Sequence, residues 1–224
     1  MIFGVGAGAR TDLDSVRTLI ASGASEREIA DNHFGTWCRN YRAFERYRVL
    51  TVGQRTWQTE IKVYYGPTGS GKSRRALEEG GPEAYWLPMP NVRGGAVWWD
   101  GYHSQDTVII EEFSGWMRIQ FVLRLFDRYP MQVQPKSGSV TFVAKKIIVT
   151  SNYPPSVWWR NIGLGLPMVR RLTPPIGTVE YIGNAEYPTA AEYLAANNWP
   201  EDPLAPEIPR RVEGEAAPPN FNNN

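Results

Sequence analysis

Gly66-Pro-Thr-Gly-Ser-Gly-Lys-Ser73 is the stretch around which the chain is organised. It follows the spacing Gly-x-x-x-x-Gly-Lys-Ser, in which glycines let successive backbone N–H groups curl around a phosphate. Before it runs Ile61-Lys-Val-Tyr-Tyr65, β-branched and aromatic, which suits a buried strand. After it come the good helix formers Arg74-Arg-Ala-Leu-Glu-Glu79. Strand, glycine loop and helix in that order bring a helix N-terminus, with its positive dipole end, against the phosphates. The predicted nucleotide-binding residues are Gly66, Pro67, Thr68, Gly69, Ser70, Gly71, Lys72 and Ser73. Lys72 reaches the β- and γ-phosphates and the Ser73 hydroxyl sits on Mg²⁺, so ATP and Mg²⁺ are the expected cofactors. The bland alternative is a glycine turn, which requires neither flanking element.

Downstream, Thr107-Val-Ile-Ile110 reads as a buried strand that ends in Glu111-Glu112. Paired acids after an apolar strand fit the second half of an ATPase site. Glu111 is then expected in the Mg²⁺ shell, and Glu112 polarises the attacking water. A third apolar run, Lys145-Lys-Ile-Ile-Val-Thr-Ser-Asn152, ends in Asn152. Beside the acid-bearing strand, Asn152 reaches the γ-phosphate or the water; otherwise it is a turn residue before Tyr153-Pro-Pro155. Between the two strands, residues 131–134 and 139–143 alternate around Pro135-Lys-Ser-Gly138, a hairpin signal with Lys136 at its tip. Lys136 either grips a phosphate backbone or is an ordinary solvated turn lysine. Arg170 and Arg171 are a surface pair or a finger for a neighbouring subunit's ATP site. Trp98 and Trp99 read as packing anchors.

The N-terminal part reads as three short helices. Thr11 or Asp12 caps the first, which Gly23 ends; Ser25-Glu-Arg-Glu28 is a capping box for the second. Gly35 breaks the chain again, and Thr36 caps a third helix bearing Trp37, Tyr41, Phe44 and Tyr47. Arg39, Arg42, Arg46 and Arg48 leave two readings, a DNA-binding helix-turn-helix or an oligomerisation collar; the adjacent ATPase favours the collar. The expected organisation is α/β: a flexible leader (1–10), a helical oligomerisation domain (11–54), an ATPase domain (55–182) and a Pro-rich, mostly disordered tail (183–224). Residues 190–196 are allowed a turn or two of helix.

The totals agree with a globular chain of this kind. Its 224 residues include nine Trp, and the formal net charge is +1. A nucleic-acid partner must therefore meet a local basic surface. One Cys excludes an internal disulfide, and the isolated His33 and His103 offer no metal cluster. No long apolar run or signal peptide is visible, so a soluble intracellular protein without membrane contact is expected.

Taken together, GPTGSGKS, WWDGYH (98–103), VIIEEFSGW (108–116), RLFDRYPMQVQPKSGSVTF (124–142), IIVTSN (147–152) and VRRL (169–172) carry a resemblance. The chain resembles the superfamily 3 helicase region of replication-associated (Rep) proteins of circular single-stranded DNA viruses, in particular circoviruses, over residues 11–182. The resemblance implies an AAA+-like motor with ATP between the subunits of a hexameric ring. It implies 3′-to-5′ movement on single-stranded DNA in a host nucleus. It makes Lys136 the DNA-gripping residue, Asn152 the polar sensor, Arg171 the preferred finger and residues 11–50 the oligomerisation segment. Glu111-Glu112 stands where Asp-containing pairs are common in the family. Such proteins open with an endonuclease bearing a His-x-His or His-x-Gln pair and a nucleophilic Tyr. This chain lacks that pair, so nicking is not expected of it, and Met1 is expected to open a truncated, split or spliced product. Alternatives to a helicase are a non-catalytic fragment that co-assembles with full-length Rep, and a related NTPase acting on RNA.

Overall fold

The computed structural model describes residues 10–51, 53–90, 96–136, 138–160 and 163–200. The expected leader thus lies outside the described residues except for Arg10, as does the expected tail beyond residue 200.

Three helices come first: α1 (Thr11–Ala21), α2 (Glu26–Asn32) and α3 (Phe34–Thr51). They bury Val16, Ile20, Ala24 and Ile29 in a core of their own, against which Leu19, Trp37, Phe44 and Tyr47 pack. Ser25 caps α2 as expected, its hydroxyl accepting the Glu28 N–H. Two expected caps are not formed. Thr11 and Asp12 lie inside α1, after an N-cap at Arg10, and the Asp12 carboxylate takes the Arg10 guanidinium and the Thr36 hydroxyl. Thr36 lies inside α3 and is buried, because its hydroxyl joins α1 to α3 instead of capping. Gly35 is likewise helical; the break falls at His33, whose carbonyl accepts the Thr36 and Trp37 N–H groups.

The larger unit runs β1 (Glu60–Tyr65), α4 (Lys72–Gly80), β2 (Tyr85–Leu87), β3 (Thr107–Ile110), α5 (Ile119–Leu125), β4 (Gln132–Val133), β5 (Val140–Thr141), β6 (Lys146–Ser151), α6 (Gly165–Leu172), β7 (Gly177–Tyr181) and α7 (Ala190–Ala196). Five strands form one sheet in the order β2-β3-β6-β1-β7, with every pairing parallel. Parallel strands need crossovers that cover both faces, so their middles are apolar throughout. Val108, Ile109, Ile110, Ile147, Ile148 and Val149 are accordingly all buried. One face carries the main core, where Ile61, Val63 and Tyr65 meet Val122 and Leu125 of α5 and Met168 and Leu172 of α6. The other face is thinner: Tyr64, Ile109 and Ile148 pack on Ala76 of α4. Trp99 is an anchor, ringed by Tyr85, Tyr102 and Phe142 at 5.5–5.8 Å. Trp98 is not; it is 42% exposed.

Burial demands partners for two ionic features that periodicity does not reveal. Arg55, just before β1, has no solvent exposure. Its guanidinium donates to the carbonyls of Arg124 (3.0 Å), Leu125 (2.8 Å) and Tyr129 (2.8 Å) and to the Thr59 hydroxyl (3.1 Å), and it lies over the Phe142 ring. It thereby satisfies the orphan carbonyls where α5 ends. Burial pulls its pKa down to about 10. Across the sheet's thinner face, Glu79 of α4 accepts from Lys62, Tyr64 and Lys146. Burial pushes its carboxyl up, but these three donors outweigh that and leave it at about 2.

The turn or two of helix allowed at residues 190–196 is present as α7. Thr189 and Glu192 form a full capping box for α7, and Tyr193 and Leu194 are buried. Tyr193 packs among Tyr181, Tyr187 and Trp199 with centroids 5.4–5.9 Å apart. These aromatic contacts hold α7 against Tyr181 of β7.

Arg55→Met should cost about 3–5 kcal/mol in urea unfolding, since it strands the buried Leu125 carbonyl and Thr59 hydroxyl and the part-buried carbonyls of Arg124 and Tyr129. Glu79 has a folded pKa below the usual 4.5, so its contribution is complete above that pH and fades as pH falls toward about 2. Unfolding measured across that window should lose less stability in Glu79→Gln than in the parent.

Candidate functional site

Parallel pairing in register aligns the C-terminal ends of β1, β6 and β3. Tyr65 pairs with Ser151, and Val149 with Ile110. In an open parallel sheet, ligands bind beyond these ends. The glycine loop leaves β1 there, Glu111 and Glu112 leave β3, and Asn152 leaves β6.

The loop is held in a shape that needs its glycines. Gly69 and Gly71 have φ of +78° and +91°, with open space above each, and Gly71 is the N-cap of α4. Gly66 is packed so tightly that a Cβ would stand 2.1 Å from the Ile182 carbonyl oxygen. Its N–H reaches the Ser151 carbonyl at 3.2 Å. Lys72 is buried, and its Nζ donates to the Gly66 (2.9 Å) and Pro67 (2.7 Å) carbonyls and to Ser70 Oγ (3.4 Å). Burial lowers the Lys72 pKa, and the charge of Glu112 raises it again. The exchange places the acid and the lysine in one electrostatic neighbourhood. Thr68, Gly69, Gly71 and Ser73 are exposed.

Glu112 holds φ of +47°, uncommon for a residue with a side chain. Its N–H reaches Thr150 Oγ1 at 3.3 Å, and the Phe113 N–H reaches the Thr150 carbonyl at 2.8 Å. β6 therefore fixes the chain on both sides of the acid. Ser151, fully buried, continues the tie: its hydroxyl donates to the Phe113 carbonyl at 2.5 Å and accepts the Trp158 indole N–H at 3.1 Å. Asn152 offers its carbonyl to Tyr193 Oη at 2.8 Å. Thr150, Ser151 and Tyr193 had no sequence signal beyond a strand ending in polar residues.

Two predicted site residues lie elsewhere. Lys136 sits on the turn between β4 and β5, its side chain 72% exposed. It is not a free cation: its N–H donates to Asp100 Oδ1 at 2.7 Å and its Nζ lies 3.6 Å from Asp100 Oδ2. An exposed pair of this kind is worth about 0–1 kcal/mol, little enough for a phosphate to displace. Arg171 lies near the N-terminal edge of the sheet, at the end of α6 and before β7. It donates to Asp127 Oδ2 at 2.5 Å and to the Pro167 carbonyl at 2.7 Å, whereas Arg170 is exposed. Among the described residues no cluster of three or more His, Cys, Asp or Glu could hold a metal, and no helix is long and apolar enough to cross a membrane.

Gly66→Ala should fold but bind nucleotide at least about tenfold more weakly, because the new methyl must push the loop off the Ile182 carbonyl. Titration with a fluorescent ATP analogue measures it.

A family model described as RNA helicase matches residues 62–153, from β1 through β6 and the residues just beyond it. The replication-associated protein of Porcine circovirus 2 is 35% identical over 92% of this chain and 63% of its own length. That of Human associated cyclovirus 1 is 42% identical over 65% of this chain and 53% of its length, and that of Beak and feather disease virus 37% over 71% and 53%. The chain thus spans between half and two thirds of these relatives. Among solved structures, the NrS-1 C-terminal region in its A form is similar only in outline, with a TM-score of 0.35 at 12% identity over 84% of this chain and 42% of that one. Over the residues it shares with them, the chain is a homologue of the circovirus replication-associated proteins, consistent with a Rep-like superfamily 3 helicase region.

Proposed function

We propose that this chain is an ATP-dependent helicase of the AAA+-like kind, which works on single-stranded DNA as a ring of identical subunits during viral replication. The observation that carries this is the convergence of the glycine loop, Glu112 and Asn152 at one sheet edge, with Arg170 and Arg171 at the other. β1 is six residues long, about 17–20 Å at roughly 3.3 Å per residue. The arginines therefore lie too far away to serve the loop of their own chain, and a second copy supplies them.

In this mechanism the backbone N–H groups of the glycine loop and the α4 N-terminus hold the phosphates, and Lys72 turns from the loop carbonyls to the β- and γ-phosphates. Lys72 is already charged and held by weak neutral acceptors, so a phosphate is the better partner. Ser73 and Glu111 supply the hard oxygen donors that suit Mg²⁺, which neutralises charge developing on the phosphates when bound. Glu112 orients the attacking water, and Asn152 hydrogen-bonds that water or the γ-phosphate. Lys136 leaves Asp100 for the DNA backbone, and the helices α1–α3, with a core of their own, form the oligomerisation segment. A host-nuclear setting follows from the same reading.

One observation favours a second substrate. The matching family model is described as RNA helicase, and backbone contacts by Lys136 hardly distinguish RNA from DNA. Stimulation of ATPase activity by single-stranded DNA and by RNA of equal length separates the two.

Glu112→Gln should bind ATP with near-parental affinity and hydrolyse it at least about 100-fold more slowly, whereas Lys72→Ala should lose both. Unchanged DNA-stimulated phosphate release in Lys72→Ala would sink the proposal.

A further inference from the structure

Asn152 lies just beyond β6, where the pairing with β1 has stopped. Its side-chain amide is half-buried and has no hydrogen-bond partner among the described residues. Its backbone is held instead. The Asn152 carbonyl accepts from Tyr193 Oη at 2.8 Å, and next to it the buried Ser151 hydroxyl accepts the Tyr153 N–H at 2.9 Å. A residue past the end of a strand has lost its ladder bonds, so the few that remain decide where its side chain stands.

Tyr193 is itself firmly seated. It is the fourth residue of α7, whose first turn is closed by the capping box of Thr189 and Glu192. Its ring is buried among Tyr181, Tyr187 and Trp199, with centroids 5.4–5.9 Å away, and its carbonyl accepts from Asn197 Nδ2 at 2.9 Å. Burial pushes the phenol pKa up, so the proton that it donates stays in place at neutral pH. Packing alone would be served as well by Phe; the hydroxyl adds one bond, and that bond lands on the candidate sensor. The segment that carries Tyr193 also abuts the phosphate loop. Ile182 donates to the Tyr65 carbonyl at 2.8 Å, and its own carbonyl oxygen stands 2.1 Å from where a Cβ on Gly66 would fall. One folded segment, 182–199, therefore touches both the glycine loop and Asn152.

We propose that Tyr193 is a positioning residue for ATP hydrolysis: its hydroxyl fixes the Asn152 backbone relative to the glycine loop, so that the Asn152 amide meets the γ-phosphate or the attacking water. The inference rests on the function proposed above and deepens it at the same site. Tyr193 does not itself touch the nucleotide. A displacement of about 1 Å in a group that orients the reacting atoms costs up to about 10²-fold in rate. Nucleotide binding, which depends on the glycine loop and Lys72, is left nearly intact.

ATPase kinetics on the full chain test it. Tyr193→Phe keeps the ring and removes only the hydroxyl. It should lower kcat about tenfold, with KM for ATP and the affinity for a fluorescent ATP analogue within about twofold of the parent. Tyr187→Phe removes a hydroxyl from the same aromatic cluster that does not touch Asn152, and should keep kcat within about twofold. Asn152→Ala should lower kcat by more than Tyr193→Phe does. Adding Tyr193→Phe to Asn152→Ala should then change kcat by less than about twofold, because the bond has nothing left to position. Parental kcat in Tyr193→Phe overturns the proposal. So does a further tenfold loss in the Asn152→Ala background, or an equal loss in Tyr187→Phe, since either marks a merely structural tyrosine. Where Tyr193→Phe loses its far-ultraviolet dichroism, Trp199→Phe takes its place in the same cycle. It loosens the seat of Tyr193 and should give a smaller loss of kcat that again vanishes beside Asn152→Ala; no loss, or one that persists there, overturns the proposal. Unimpaired Lys72→Ala defeats the proposed function itself; inactive Lys72→Ala beside fully active Tyr193→Phe defeats this inference alone.

Discussion

The structure depends on β6 lying between β1 and β3. Ile147 pairs with Ile61 on one side and Val108 on the other, so three strands share one register. That alignment brings three chain exits, far apart in sequence, to one edge. It also lets the last residues of β6 hold the exits on either side of it. Ser151 reaches the Gly66 N–H and the Phe113 carbonyl, and Thr150 takes the N–H groups of Glu112 and Phe113. A one-residue slip would exchange the side chains packed in the main core with those on the thinner face, so packing and site geometry are fixed together.

Strand direction gives the molecule a polarity. The glycine loop, the acids and Asn152 stand at one end of the strands, and the arginines stand at the other. A reaction that needs both ends is completed only between copies, which is why the ring belongs to the proposed function. The arginine edge has its own construction. Arg55 is buried without an ion-pair partner among the described residues, which is tolerable because the carbonyls of Arg124, Leu125 and Tyr129 and the Thr59 hydroxyl take its donors. The same bonds stiffen the loop that carries Asp127 and Arg128. The role of Arg55 is therefore structural, and its effect reaches the site through geometry.

The chain beyond β7 also bears on the site. Ile182 donates to the Tyr65 carbonyl and lays its own carbonyl against Gly66, while Tyr193 donates to Asn152. A segment of residues 182–199 thereby buttresses the loop and the candidate sensor at once. Its order comes from aromatic contacts close in sequence, Tyr193 with Tyr181, Tyr187 and Trp199, and from two longer ties, Trp199 on Tyr153 and the Ile182 N–H on the Tyr65 carbonyl.

The sequence by itself determined the glycine loop, the three strands that meet at it and the residues that leave them. These are local signals: apolar runs have a length and a period, and Gly69 and Gly71 are required wherever φ is positive. It also determined the hairpin at Lys136 and a helical segment with its own apolar face. The helix starts were misplaced at Thr11 and Thr36 because a short polar side chain near a helix start serves equally as a cap or as a contact to another helix, and only the neighbour decides. For the same reason Lys136 and Arg171 read as free cations although Asp100 and Asp127 face them. Charge pairing is a property of approach in space, so the tertiary structure alone decided which cations are engaged, which are free, and at which end of the sheet each one stands.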